Sequence, residues 1–237
     1  MTFIPQPSSF NDTNFNNAKS NTIAPFTQAW QEDWVAEVRG GNNALNGTQE
    51  LSINNWIDNT TSPGAAQTTP AQNIFTSGQA VNFSVSYNGT NANFLWGTNL
   101  GAAQKTLSTS NLTESSRFPQ GLDSIFIRLR SNSTSSFQLS NLVVNGQSYS
   151  GSMLANNTDN LDYLLITGIT NNFTLTGTAT LAWTSAAIPS NSNLNMTVKM
   201  GYGAVPEPLT IAGSVLAGSG LMFFKRKIRS RRCQIKR

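Results

Sequence analysis

Histidine is missing from all 237 residues, and with it go Ser-His-Asp and Cys-His nucleophile systems and the commonest zinc ligand. A single cysteine, Cys233, excludes intrachain disulfides and any cysteine-built metal cluster. Charge is also scarce, at 11% of residues, and unevenly spread. Seven Lys/Arg and ten Asp/Glu precede residue 205, a balance of −3, whereas eight Lys/Arg and no acid follow Phe224. The overall charge of +4 therefore belongs to the tail, and the body offers no basic stripe to a nucleic acid. A glycine-rich phosphate loop is absent too. Residues 1–17 hold no base and no apolar run, so they lack the two parts of a secretory signal.

What the body does contain is Asn, Thr, Ser and Gly, a composition suited to strands and turns. Ala80 to Tyr87 alternates apolar and polar residues, Asn88-Gly89 follows, and Ala92, Phe94 and Trp96 alternate again. That pattern predicts a hairpin with a turn suited to positive φ. Strands are also predicted over 34–39, 124–130, 136–144, 163–167, 173–183 and 196–202, with a second Asn-Gly turn at Asn145-Gly146. Short strands with this punctuation point to an all-β fold, an antiparallel β-sandwich of jelly-roll type. About 180 residues suffice for one such domain and are thin for two. The expected organisation is a polar leader or linker over 1–25, a sandwich ectodomain over 26–203 and a distinct C-terminal segment over 204–237. Thr60 to Gln72, with Pro63-Gly64 and Pro70, reads as a loop.

The C-terminal segment carries the one long hydrophobic run. From Val205 to Phe224 there are 20 residues, which as a helix would rise about 30 Å, one hydrocarbon thickness. Strictly apolar residues begin near Leu209, so a transmembrane helix is expected over 209–224, weakened by Gly213, Gly218 and Gly220. Lys225, Arg226, Lys227 and Arg229 open a basic tail, 225–237, that orients the C-terminus to the cytoplasm and the body to the outside. An outward body calls for export, so a signal segment is expected upstream of Met1.

Val205-Pro206-Glu207-Pro208-Leu209-Thr210, then a span, then a basic cluster closely resembles the PEP-CTERM sorting signal of bacterial surface proteins. The resemblance implies recognition by an exosortase at Pro206-Glu207-Pro208, with Val205 and Thr210 completing the motif, and cleavage near it. Release or re-attachment of the ectodomain would follow. The three-part layout is shared with sortase substrates, but their Leu-Pro-x-Thr-Gly is absent. Within the body, Phe173–Trp183 and Asn141–Gln147 resemble the choice-of-anchor domains, the W subtype being the candidate among them. These are β-rich modules joined to different surface anchors, and the resemblance supplies no activity.

The reading reached is a non-enzymatic cell-surface or matrix protein, its partners an exosortase and the membrane, with no cofactor and no nucleic acid. A module binding exopolysaccharide is the alternative. Trp34 and Trp56 are its candidate sugar-stacking residues, Trp56 standing among Asn54, Asn55 and Asp58. Trp96 and Trp183, closing alternating strands, are expected to plug the core. A glycosidase is the third reading, on Glu32, Asp33 and Glu37 beside Trp30 and Trp34. All three acids share one short segment, however, and so flank no ligand from opposite sides. Asn156 to Asp162 places Asp159 and Asp162 as candidate calcium ligands, although its spacing fits an ordinary Asx-rich turn better. Asn-x-Ser/Thr triplets at Asn46, Asn82, Asn88, Asn111 and Asn172 single out no glycosylation site.

Overall fold

A computed structural model of the chain describes residues 1–20, 26, 28–40, 49–55, 67–71, 76–89, 91–97, 103–108, 122–169, 172–184 and 193–203. Two sheets, antiparallel throughout, face each other across one core, as the alternation predicts. The first has the order β1 (Thr2–Pro5), β12 (Leu161–Thr167), β8 (Ser124–Arg130), β14 (Leu194–Tyr202), β2 (Gln31–Gly40), β3 (Gln49–Asn55), β4 (Gln67–Ala71). The second runs β10 (Gln147–Ser148), β9 (Ser135–Val144), β13 (Phe173–Trp183), β5 (Ala80–Tyr87), β6 (Asn91–Trp96), β7 (Ala103–Ser108), with β11 (Met153–Ala155) also on β9. Among the described residues one helix, α1, spans Asp12–Ser20. It is too short to cross a membrane, and the candidate span at 209–224 lies outside the described residues.

The core follows the period-two pattern. Ile125, Ile127 and Leu129 of β8 meet Phe83 and Val85 of β5 and Leu175 and Leu181 of β13 in one buried cluster. In β9 the inward phase changes from Phe137 and Leu139 to Leu142 and Val144. A bulge makes the change: Asn141, at φ 53°, is the extra residue, and the register against β13 shifts between Thr176 and Thr178. The turn at Asn145-Gly146 has φ of 48° and 82°, the left-handed pair of a type I′ hairpin.

Three expectations are corrected. Residues 1–20 are not a leader apart from the fold, because β1 pairs with β12 and α1 lies on the outer face of the first sheet. The loop expected over 60–72 is a strand over Gln67–Ala71, which tolerates Pro70 because it closes the sheet as an edge strand. Trp183 does not plug the core; it sits at the end of β13, half-buried.

β8 explains why the N-terminal segment is recruited. Phe126 points away from the sandwich core and is only 1% exposed, covered by Phe15, Phe26 and Trp30. Ring centroids of Phe126 lie 5.2 Å from Phe15 and 5.1 Å from Trp30, both edge-on. Gly201 of β14 leaves room for Trp30: a Cβ there would stand 2.1 Å from the Gln31 carbonyl oxygen and 2.5 Å from the indole. Gly201→Ala is therefore expected to destabilise the fold by about 1–3 kcal/mol or more, the cost of overpacking. Chemical denaturation of the two proteins measures it, and equal midpoints would remove Gly201 from the argument.

Candidate functional site

The first sheet's outer face, flanked by α1, forms a polar groove of about 510 Å³. Local sequence explains how α1 is placed there. Asn11 caps it, its Oδ1 accepting the N–H groups of Thr13 at 2.9 Å and Asn14 at 3.1 Å, while Asn14 Oδ1 accepts the Asn11 N–H at 2.9 Å. At the far end the Trp30 N–H donates to the Ala18 carbonyl at 2.8 Å, satisfying a helix-end acceptor.

Asp12, in the first turn, meets Arg128 of β8 in a two-pronged ion pair. Nε and Nη2 donate to the two carboxylate oxygens at 2.7 Å each, and Nη1 donates to Asn195 Oδ1 at 3.2 Å. The Tyr163 hydroxyl of β12 donates to the same carboxylate. Burial pushes the Asp12 carboxyl up, but the bonds from Arg128 and Tyr163 prevail and hold it below the ordinary range. Burial and the Asp12 bond together raise the Tyr163 phenol, so it stays protonated and donating.

A second ionic cluster sits beside this one. The register between β14 and β2 shifts at Met200/Gly201, leaving Asp33 as the extra residue and turning Glu32 to the outer face. Lys19 of α1 and Lys199 of β14 donate to Glu32 at 3.2 and 3.1 Å, and the Glu32 side chain is only 3% exposed. Lys199 also stands 4.9 Å over the Phe15 ring. Farther along β2, Arg39 pairs with Glu37 at 2.7 Å and approaches Glu50 at 3.9 Å.

In a body with seven bases, four of them (Lys19, Arg39, Arg128 and Lys199) line this one groove. Asp12, Glu32 and Glu37 answer them, Lys19 and Lys199 sharing Glu32, and the Asp12–Arg128 and Lys19–Glu32 pairs clamp α1 to the sheet. Of the three acids considered for glycoside chemistry, Asp33 is the buried bulge residue of β2, while Glu32 and Glu37 face the groove from that strand and sit in ion pairs. That arrangement immobilises them on one side of the groove, and a glycosidase needs carboxyls across a sugar.

The remaining expected residues separate clearly. Trp34 is fully buried between the sheets, 6.1 Å from Phe173 in a stacked pair, and its faces are closed to any sugar. Trp30 and Trp96 are likewise buried. Trp56 lies outside the described residues, as do Asn46, Asn111, Val205, Pro206, Glu207, Pro208 and Thr210 of the motif, and Lys225, Arg226, Lys227 and Arg229. Asp159 and Asp162 are engaged locally. Asp159 Oδ1 accepts the Leu161 N–H at 3.4 Å and Asp162 Oδ2 the Leu154 N–H at 2.7 Å. Burial pushes the Asp162 carboxyl up. Among the described residues, no three His, Cys, Asp or Glu side chains converge as metal ligands.

Sequence reasoning missed α1 and its groove. The signals were Asn11 and Asn14 at capping spacing and Phe15 with Ala18 on one helical face. Neither a family model nor a curated protein matches the chain.

Asp12 has a defined pH signature. Its lowered carboxyl contributes stability that is fully present above the unfolded value of about 3.9 and is lost as pH falls through the folded value. The side chain is 49% exposed, so solvent moderates the effect. Asp12→Asn is expected to lower stability at neutral pH and to flatten the acid limb of the stability profile. Urea midpoints across that range test this, and parallel profiles for the two proteins would overturn it.

Proposed function

We propose that this chain is a non-enzymatic envelope protein whose β-sandwich is displayed outside the cell. It is held first by the span at 209–224 and then cut by an exosortase at Pro206-Glu207-Pro208. The observation that carries this reading is the order of the motif, apolar span and basic tail, which a plain membrane anchor leaves unexplained. Eight Lys and Arg between Lys225 and Arg237, with no acid among them, make the cytoplasmic side of the span the tail side.

The end of the fold supports it. β14 closes at Tyr202, and the Gly203 N–H donates to both carboxylate oxygens of Asp123, at 3.1 and 3.2 Å. The last described residue tied into the sandwich thus precedes Val205 by two positions. A cut at the motif would remove none of the described strands, so both described sheets survive processing. The choice-of-anchor likeness and a jelly-roll course for the sheets belong to the same reading.

The intact mass of the mature protein, recovered from the surface of its own cells, tests this. A C-terminus at Pro206 to Pro208 is expected, and Glu207→Ala is expected to accumulate as uncut precursor. A mature mass retaining Phe224 to Arg237 would overturn the proposal.

A further inference from the structure

Trp183 stands apart from the other described tryptophans. It is the last residue of β13 and packs against the core where the core ends, so it is partly rather than fully buried. It lines a cavity of about 230 Å³ together with Thr134, Ser136, Asn156, Asn157 and Thr184. Hydroxyls and amides supply the polar part of a wall that also includes Trp183 and Ala182, and among the described residues no charged side chain lines it.

The walls are held in shape without a ligand. Asn132 Oδ1 accepts the Thr134 N–H at 3.0 Å, the Thr134 hydroxyl at 3.1 Å and the Ser135 hydroxyl at 2.7 Å, fixing the β8–β9 turn. Asn156 Oδ1 accepts the Thr158 and Asp159 N–H groups at 2.8 and 3.1 Å, fixing the turn before β12. The Trp183 N–H donates to the Ser77 hydroxyl at 3.0 Å, and the Thr184 hydroxyl to the Thr134 carbonyl at 3.3 Å. A ligand entering here orders little that is not already ordered.

We infer that this cavity is a subsite for one ring of a neutral glycan, stacked on Trp183 and hydrogen-bonded by the surrounding hydroxyls and amides. The chemistry follows from sugar structure. A pyranose has a C–H face that packs on an indole and a rim of hydroxyls that both donate and accept. Thr, Ser and Asn side chains answer both roles, whereas an uncharged wall gives a uronate or a phosphate nothing to pair with.

Its position suits capture from outside. Trp183 pairs with Ser135, and the turn after Arg130 leads into β9 at the end of the sheet where β14 begins. The chain leaves at Tyr202, at the opposite end of β14, about 30 Å away for nine extended residues. The subsite itself stands on the sandwich alone; only the value of its distance from Tyr202 rests on the sorting reading.

The test uses the full chain in a detergent without a sugar headgroup, titrated with cello-, xylo-, chito- and malto-hexaose and with a hexauronate. At least one neutral hexaose is expected to bind, and Trp183→Ala to weaken it about tenfold or more. Ala182→Gln, which fills the cavity from a strand position while keeping the indole, decides the matter if Trp183→Ala fails to fold, and is expected to weaken binding similarly. No binding to any neutral hexaose, neutral binding unchanged in a folded variant, or binding of the hexauronate alone would each overturn the proposal.

Discussion

The rest of the fold answers to one constraint: the first sheet carries large apolar side chains on part of its outer face as well as on its inner one. β8 and β12 place Ile125, Ile127, Leu164 and Ile166 in the sandwich and Phe126, Tyr163 and Leu165 on the opposite side. An outer face carrying those rings cannot be left to water. Covering one aromatic side chain is worth roughly 2–3 kcal/mol, and several are covered at once. That gain holds a nine-residue helix which would be marginal on its own. The ion pairs across the same surface add less energy than position. Arg128 and Glu32 decide where α1 lies, because a two-pronged fork and a shared carboxylate tolerate little displacement.

Strands that alternate strongly were legible in the sequence. β5, β8 and β13 have the bounds predicted, and β2, β6, β9, β12 and β14 differ only at their ends. Both Asn-Gly turns bring their glycine to positive φ. The strands that escaped notice are short or mostly polar: Ala103–Ser108 has few apolar residues to alternate, and Gln67–Ala71 contains a proline. Edge strands need no inward row as complete as a central strand's, so their pattern is faint. The N-terminal segment escaped for another reason. Its apolar residues are few and pack against a surface that exists only once distant strands have paired.

Site residues were less legible, since an indole looks the same in a sequence whether buried or exposed. Trp34 and Trp183 both sit at apolar phases of alternating strands. One lies within its strand and is sealed, and the other ends its strand and emerges. Charge told a similar story. Scattered along the chain, Asp12, Lys19, Arg128 and Lys199 suggested nothing and Glu32 pointed only to its neighbours Asp33 and Glu37, yet pairing of β14 with both β2 and β8 gathers the five onto one face.

That double pairing also has a mechanical meaning. β14 is the last of the described strands but lies in the middle of its sheet, bonded along its length to β8 on one side and β2 on the other. A pull on the C-terminal end, resisted at the far end of the sandwich, runs parallel to this strand. Two ladders of hydrogen bonds must then slide together before anything yields, whereas a strand peeled from an edge gives way one bond at a time. The chain leaves the sandwich by its strongest grip.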